Sequence, residues 1–223
     1  MKASGTLEER LRAHVQPTVL VKSRGEAPFY TLVEPPSKAI VEEPQSAGEA
    51  RVECTLPDGS RCVQWNLQTG MFRFLQEEKN ADGALLVWQS DGSEDGSFEA
   101  HIMECKKTVD QTKWAEILQQ MRWTLARLLA VAGTLGIPIV KARFYTAFRR
   151  DRLSSDSSRN PALPRIPIEG GSPRRGELDR ALRQQLDWES DDLAIEGFMG
   201  RFHHRKVQLD AASGAGAVNL AVG

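Results

Sequence analysis

The spacing of apolar and polar positions changes character twice along the chain. In the first half, short β-branched runs alternate with turn residues. Residues 18–21 (TVLV) stop at Arg24-Gly25, and 29–33 (FYTLV) end at Pro35-Pro36. Residues 51–55, 61–67 and 71–76 follow, separated by Pro57-Asp58-Gly59-Ser60 and Gln68-Thr69-Gly70. Short strands with Gly- and Pro-containing joints predict an antiparallel β-meander. Between them, residues 34–49 are rich in Pro, Glu and Ser and read as a mobile loop.

The next stretch carries the strongest patterns. Residues 84–89 (ALLVWQ) predict a strand, and the acidic Gly/Ser run at 90–97 predicts a loop. Residues 98–107 (FEAHIMECKK) resume as a strand. Alternation puts Phe98, Ala100, Ile102, Glu104 and Lys106 on one face, and Glu99, His101, Met103, Cys105 and Lys107 on the other.

From 113 to 135 the period becomes helical: Trp114, Ile117, Met121, Leu125, Leu128, Ala132 and Leu135 recur at steps of three and four. Leu118 and Leu129 widen this stripe, so the helix is expected to be covered on more than one side. Asp110 or Thr112 caps its start, and Gly136 with Pro138 ends it. Residues 137–148 then return as a strand. The predicted fold class is α+β: an antiparallel β-meander, one long helix packed on the sheet, and a returning strand.

Past residue 148 the patterning fades. Residues 149–176 are rich in Arg, Ser, Pro and Gly, and read as a flexible arm. Residues 177–187 look helical, with Leu178, Leu182 and Leu186 four apart, followed by a short element near 195–202 and a strand at 206–209. The expected organisation is a core domain at 1–148, an arm at 149–176 and a short helical C-terminal extension at 177–223. Near the N-terminus, Leu7 and Leu11 mark a short amphipathic helix without the apolar centre of a signal peptide. The most apolar stretch, 124–140, is broken by Arg127, Gly133, Gly136 and Pro138, so no membrane span is expected.

Composition narrows the class only slightly. The chain has 223 residues, is 40% hydrophobic and 26% charged, and carries a formal net charge of -1. That describes an ordinary globular protein, with no global pull toward nucleic acid or membrane. Its cysteines are Cys54, Cys62 and Cys105, with no CxxC spacing, which argues against a zinc site. Cys54 and Cys62 flank the Pro57–Ser60 turn, which allows them to face each other across a hairpin, but two small apolar residues in a sheet is the better reading. A reducing, intracellular, cytoplasmic setting fits best.

The candidate chemistry lies in the middle of the chain, in the order strand, Asp91, strand with Glu104-x-Lys106, helix, strand. This order resembles the core of the PD-(D/E)xK nuclease superfamily, over about residues 85–148, with residues 7–14 as a first helix. The resemblance implies a hydrolase site. Asp91 and Glu104 would be ligands of a divalent metal such as Mg²⁺, which prefers oxygen donors. Lys106 would be the catalytic lysine that steers or polarises water. Glu94 and Asp95 share the loop with Asp91, so the identity of the loop acid stays open. Some RecB-type relatives carry QxxxY on the following helix; here Gln119 precedes Trp123 by four. The plainer reading of Glu104 and Lys106 is a solvated pair on a strand tip. Against it, they continue an apolar stripe that faces the helix, where charge is costly.

Other candidates are weaker. His101 lies on the opposite strand face from Glu104. His203 and His204 sit among Arg201, Arg205 and Lys206 and read as a solvated patch. The tryptophans are core candidates. Lys141, Arg143, Arg149, Arg150 and Arg152 begin a basic run suited to a phosphate backbone, and equally suited to an acidic protein partner. Two function classes follow. One is a metal-dependent nuclease-like protein cleaving or binding nucleic acid. The other is a non-catalytic interaction or structural subunit of a larger assembly or oligomer, its basic arm on a partner.

Overall fold

A computed structural model describes residues 7, 9, 11, 30–33, 38–42, 50–65, 67, 79–89, 98–154 and 184–220. Two sheets and a helix are stacked in layers. The larger sheet runs β1 (Tyr30–Val33), β4 (Ser60–Trp65), β5 (Gly83–Gln89), β6 (Phe98–Val109), β7 (Ile139–Asp151), β9 (Phe202–Gln208) and β8 (Asp192–Leu193) in spatial order. The smaller sheet runs β10 (Ala215–Asn219), β3 (Arg51–Thr55) and β2 (Lys38–Glu42). The helix α1 (Gln111–Thr134) covers the other face of the larger sheet.

The pairing is antiparallel from β1 through β6, as the turn-punctuated pattern predicts. It becomes parallel between β6 and β7, because α1 forms the crossover between them. Asp110 caps α1 by accepting from the Lys113 amide at 2.9 Å. At the other end Gly136 takes φ 64°. The Gly136 amide then donates to the Gly133 carbonyl and that of Ile137 to the Ala132 carbonyl, a Schellman closure.

Strand β6 shows why the sheet sits between two cores. Phe98, Ala100 and Ile102 pack with Trp114, Ile117, Met121 and Leu125 of α1. Met103 and Cys105 point the other way, into a core shared with Val41, Val52 and Val218 of the smaller sheet. A strand buried on both faces reads as nearly continuous apolar sequence, which β5 does; β6 is equally buried at its start but carries Glu99, His101 and Glu104 there.

Several sequence expectations need correction. Residues 34–49 contain β2, so this stretch is not wholly loop. Cys54 and Cys62 do not face each other across a hairpin, because β3 and β4 belong to different sheets. Both thiols are free and buried, and burial pushes Cys54 up to about 12. The C-terminal region is part of the fold: β9 pairs in parallel with β7, and β10 with β3. The helical turn at 184–189 is anchored by Trp188, which is fully buried against Trp114 and Phe148. Trp188 also donates from Nε1 to Asp151, while Leu186 is 65% exposed. Leu129 is exposed as well, so α1 is covered less broadly than its sequence suggests. The strands expected at 18–21 and 71–76, and most of the arm at 149–176, lie outside the described residues. Among the described residues no helix is long and apolar enough to cross a membrane.

Candidate functional site

Glu104 ends the apolar face of β6 and is completely buried. Lys106, two residues on and therefore on the same face, forms an ion pair with Glu104 Oε1. A carboxylate removed from water in this way demands partners. The solvated reading of the pair is therefore wrong for Glu104, although Lys106 remains partly exposed.

The second carboxylate comes from the start of β5. In an antiparallel hairpin the beginning of the first strand lies beside the end of the second. Gly83 pairs with Met103, which places Asp82 next to Glu104. The Asp82 amide donates to Glu104 Oε2 at 3.2 Å, and the Asp82 carboxylate accepts from the Cys105 amide at 2.8 Å. Burial, then the Asp82 charge, push the Glu104 carboxyl up to about 8, against the opposing pull of Lys106. Two acids sharing a partly dry site cannot both ionise cheaply, and a cation would relieve that conflict.

Asp91 lies outside the described residues. The strand leading toward it ends beside Phe98, the first residue of β6, whereas Glu104 lies in the middle of that strand. Asp82 is the acid that sequence reasoning missed. The signal was available in the hairpin itself, since the residue facing Glu104 across it has to precede β5 rather than follow it. On α1, Gln119 is exposed and lines an outer groove with Arg122 and Ile195, away from the carboxylates. The residues of α1 that reach toward Asp82 are Gln120, Thr124 and Arg127.

A polar row continues across the sheet. Thr146 of β7 pairs in register with Glu104. Its hydroxyl lies 3.0 Å from Nε2 of buried His204, on β9. The histidine pair is thus split: His203 is exposed, whereas His204 is enclosed by Trp114 and Trp188. Burial holds the His204 imidazole down to about 3. On the other sheet face, His101 Nδ1 lies 2.9 Å from the Tyr145 hydroxyl, and burial lowers its value to about 4.

The basic residues divide by position. Arg143 donates to buried Glu99 at 2.9 Å on the face opposite Glu104. Lys141 is exposed and pairs in register with Glu99, near the start of β6. Neither adjoins the carboxylates, although their strand β7 neighbours β6 and meets Glu104 at Thr146. Arg150 pairs in register with Thr108, at the same end as Lys106, and both Arg150 and Arg152 are exposed. Arg149 is half-buried. Lys79, Lys106 and Lys113 all act on Glu116 electrostatically, and Lys113 pairs with it, so charges of both signs meet at this end of the sheet.

Among the described residues, no group of three or more His, Cys, Asp or Glu side chains forms a metal cage. No protein-family model, curated protein or solved structure matches the chain.

Proposed function

We propose that this chain is a metal-dependent, nuclease-like protein acting on nucleic acid, with Asp82 and Glu104 as the metal-holding carboxylates and Lys106 as the catalytic lysine. The observation that carries this reading is the adjacency of Asp82, just before β5, and Glu104, in the middle of β6, with Lys106 paired to the buried acid. The donor set fits Mg²⁺ or Mn²⁺, hard ions held through one or two carboxylates that otherwise keep water or substrate oxygens. When bound, such an ion supplies Lewis-acid stabilisation of charge developing on a phosphate.

The protein's own groups define the rest. Glu104 gives up its proton to become a ligand, and its burial makes that change depend on pH. Lys106 places an ammonium beside the carboxylates, where it orients water and compensates phosphate charge. Lys79, Arg150 and Arg152 are exposed and supply positive charge suited to phosphates flanking the scissile bond.

The test compares wild type with Asp82→Asn, Glu104→Gln and Lys106→Ala on single- and double-stranded DNA and RNA, with Mg²⁺ or Mn²⁺. Metal-dependent cleavage lost in each variant is the expected result. Equal behaviour of all four proteins overturns the catalytic reading. Metal-independent affinity for nucleic acid without cleavage identifies a binding module instead.

A further inference from the structure

Arg127 is 2% exposed and Thr124 fully buried, although both stand on the core side of α1. Burying a guanidinium is costly, so its use here calls for a physical reason. Arg127 Nη1 donates to the Lys79 carbonyl at 2.8 Å and to Asn80 Oδ1. One helical turn earlier, Thr124 Oγ1 accepts from the Ala81 amide at 2.7 Å. A further turn back, Gln120 Nε2 donates to the Asn80 carbonyl at 3.0 Å. Three side chains at i, i+4 and i+7 thus hold consecutive backbone groups of the segment that leads into Asp82. The Asn80 side chain also donates from Nδ2 to the Leu67 carbonyl, a further tie on the segment.

The opposite face is equally constrained. A Cβ placed on Gly83 would lie 2.5 Å and 2.8 Å from the Val41 methyls, so β5 begins in direct contact with the smaller sheet. Asp82 sits between these two restraints. Its chain is tied to α1 just before it and pressed on β2 just after it.

We propose that Gln120, Thr124 and Arg127 are positioning residues of the carboxylate site, holding the backbone of residues 79–81 so that Asp82 stays beside Glu104. This inference rests on Asp82 and Glu104 forming the metal-holding pair. None of the three touches the site itself. Each acts through the backbone, as groups behind metal ligands commonly do.

The experiment uses the full chain and Mn²⁺ as the probe. Calorimetric Mn²⁺ affinity and metal-free thermal unfolding are measured for wild type, Gln120→Ala, Thr124→Val, Thr124→Ser and Arg127→Met. Hydrogen exchange of the Cys105 amide, which the Asp82 carboxylate accepts, is followed in the metal-free proteins. The expected result is a loss of about 10–100-fold in Mn²⁺ affinity for Thr124→Val and Arg127→Met, with Thr124→Ser near wild type. Gln120→Ala, at a half-buried position, gives a smaller loss, and Cys105 exchange quickens in step. Lower melting temperatures with wild-type Mn²⁺ affinity and unchanged Cys105 exchange overturn the proposal and leave a stabilising role alone. If wild type takes up no Mn²⁺, the metal reading falls. The positioning claim is then decided by exchange: unchanged Cys105 exchange in Thr124→Val and Arg127→Met sinks it.

Discussion

The Asp82 amide donates to Glu104 Oε2 at 3.2 Å, so the carboxylate of one strand rests on the backbone of its neighbour. The contact joins the start of β5 to the middle of β6, just past the last paired residue Met103, and brings two acids together in partly dry surroundings. Its consequences extend to stability as well as to chemistry.

The first concerns pH. Glu104 has an ordinary value of 4.5, raised in the folded protein to about 8 by burial and by Asp82. Between those values the native state binds the extra proton, so stability falls as pH rises, by at most on the order of 1.4 kcal/mol per pH unit. The buried imidazoles act with the opposite sign. His101 and His204 are held down to about 4 and about 3 from 6.5, so stability is lost as pH falls below 6.5. Metal-free protein should therefore be most stable near about pH 6.5. Glu104→Gln should abolish the decline toward pH 8 and keep the decline on the acid side. Thermal unfolding in a chelator across this range checks it; an unchanged alkaline limb in the variant refutes the assignment.

The second concerns Arg143. Removing it strands Glu99, a 4%-exposed carboxylate, without its guanidinium. Breaking a buried pair from one side costs about 3–5 kcal/mol. Arg143→Ala should unfold at much lower denaturant, while Lys141→Ala and Arg150→Ala stay within about 0.5 kcal/mol of wild type. Urea titrations decide this. If all three variants match, the Glu99–Arg143 pair contributes no stability. A nucleic-acid binding defect in Arg143→Ala would have to be read against that loss of fold.

These cases show which parts of the fold were legible from sequence. Strands β5 and β6, helix α1 and strand β7 were readable because each has a long, unbroken period and clear caps, such as Asp110 and Gly136. Lys38–Glu42 was hidden because Pro35, Pro36 and Pro44 flank a run of only a few residues. The C-terminal strands β9 and β10 were obscured because the chain joins them to partners distant in sequence, β7 and β3. Glu104 and Lys106 could be found from alternation alone. Asp82 could not, because no periodicity marks a residue just outside a strand; only the direction of hairpin pairing does. His204 was likewise invisible, since the ring that shelters it belongs to Trp114, far earlier in the chain.

The third prediction tests the approach of the two sheets. At Gly83 an added methyl would meet Val41, itself fully buried. Gly83→Ala should cost about 1–3 kcal/mol by overpacking. Val41→Ala placed in the same chain should recover part of that loss by opening the space. The double variant being no more stable than Gly83→Ala would show that the strain lies elsewhere.

The last prediction follows the polar row to Thr146 and His204, whose Oγ1 and Nε2 are 3.0 Å apart and buried. Valine matches threonine in shape but offers no hydrogen-bond partner, so Thr146→Val leaves the imidazole nitrogen unsatisfied. Such a loss costs about 1–3 kcal/mol. Replacing His204 by Phe removes the other member and keeps a flat ring against Trp114 and Trp188. With both replaced, no polar group is stranded, and much of the single-variant cost should disappear. A double-mutant cycle in urea should therefore give a coupling of about 0.5–3 kcal/mol. Strict additivity would mean that the two side chains are neighbours without being partners. Because burial holds the folded imidazole down to about 3, the coupling should stay constant across the acid range in which the protein remains folded.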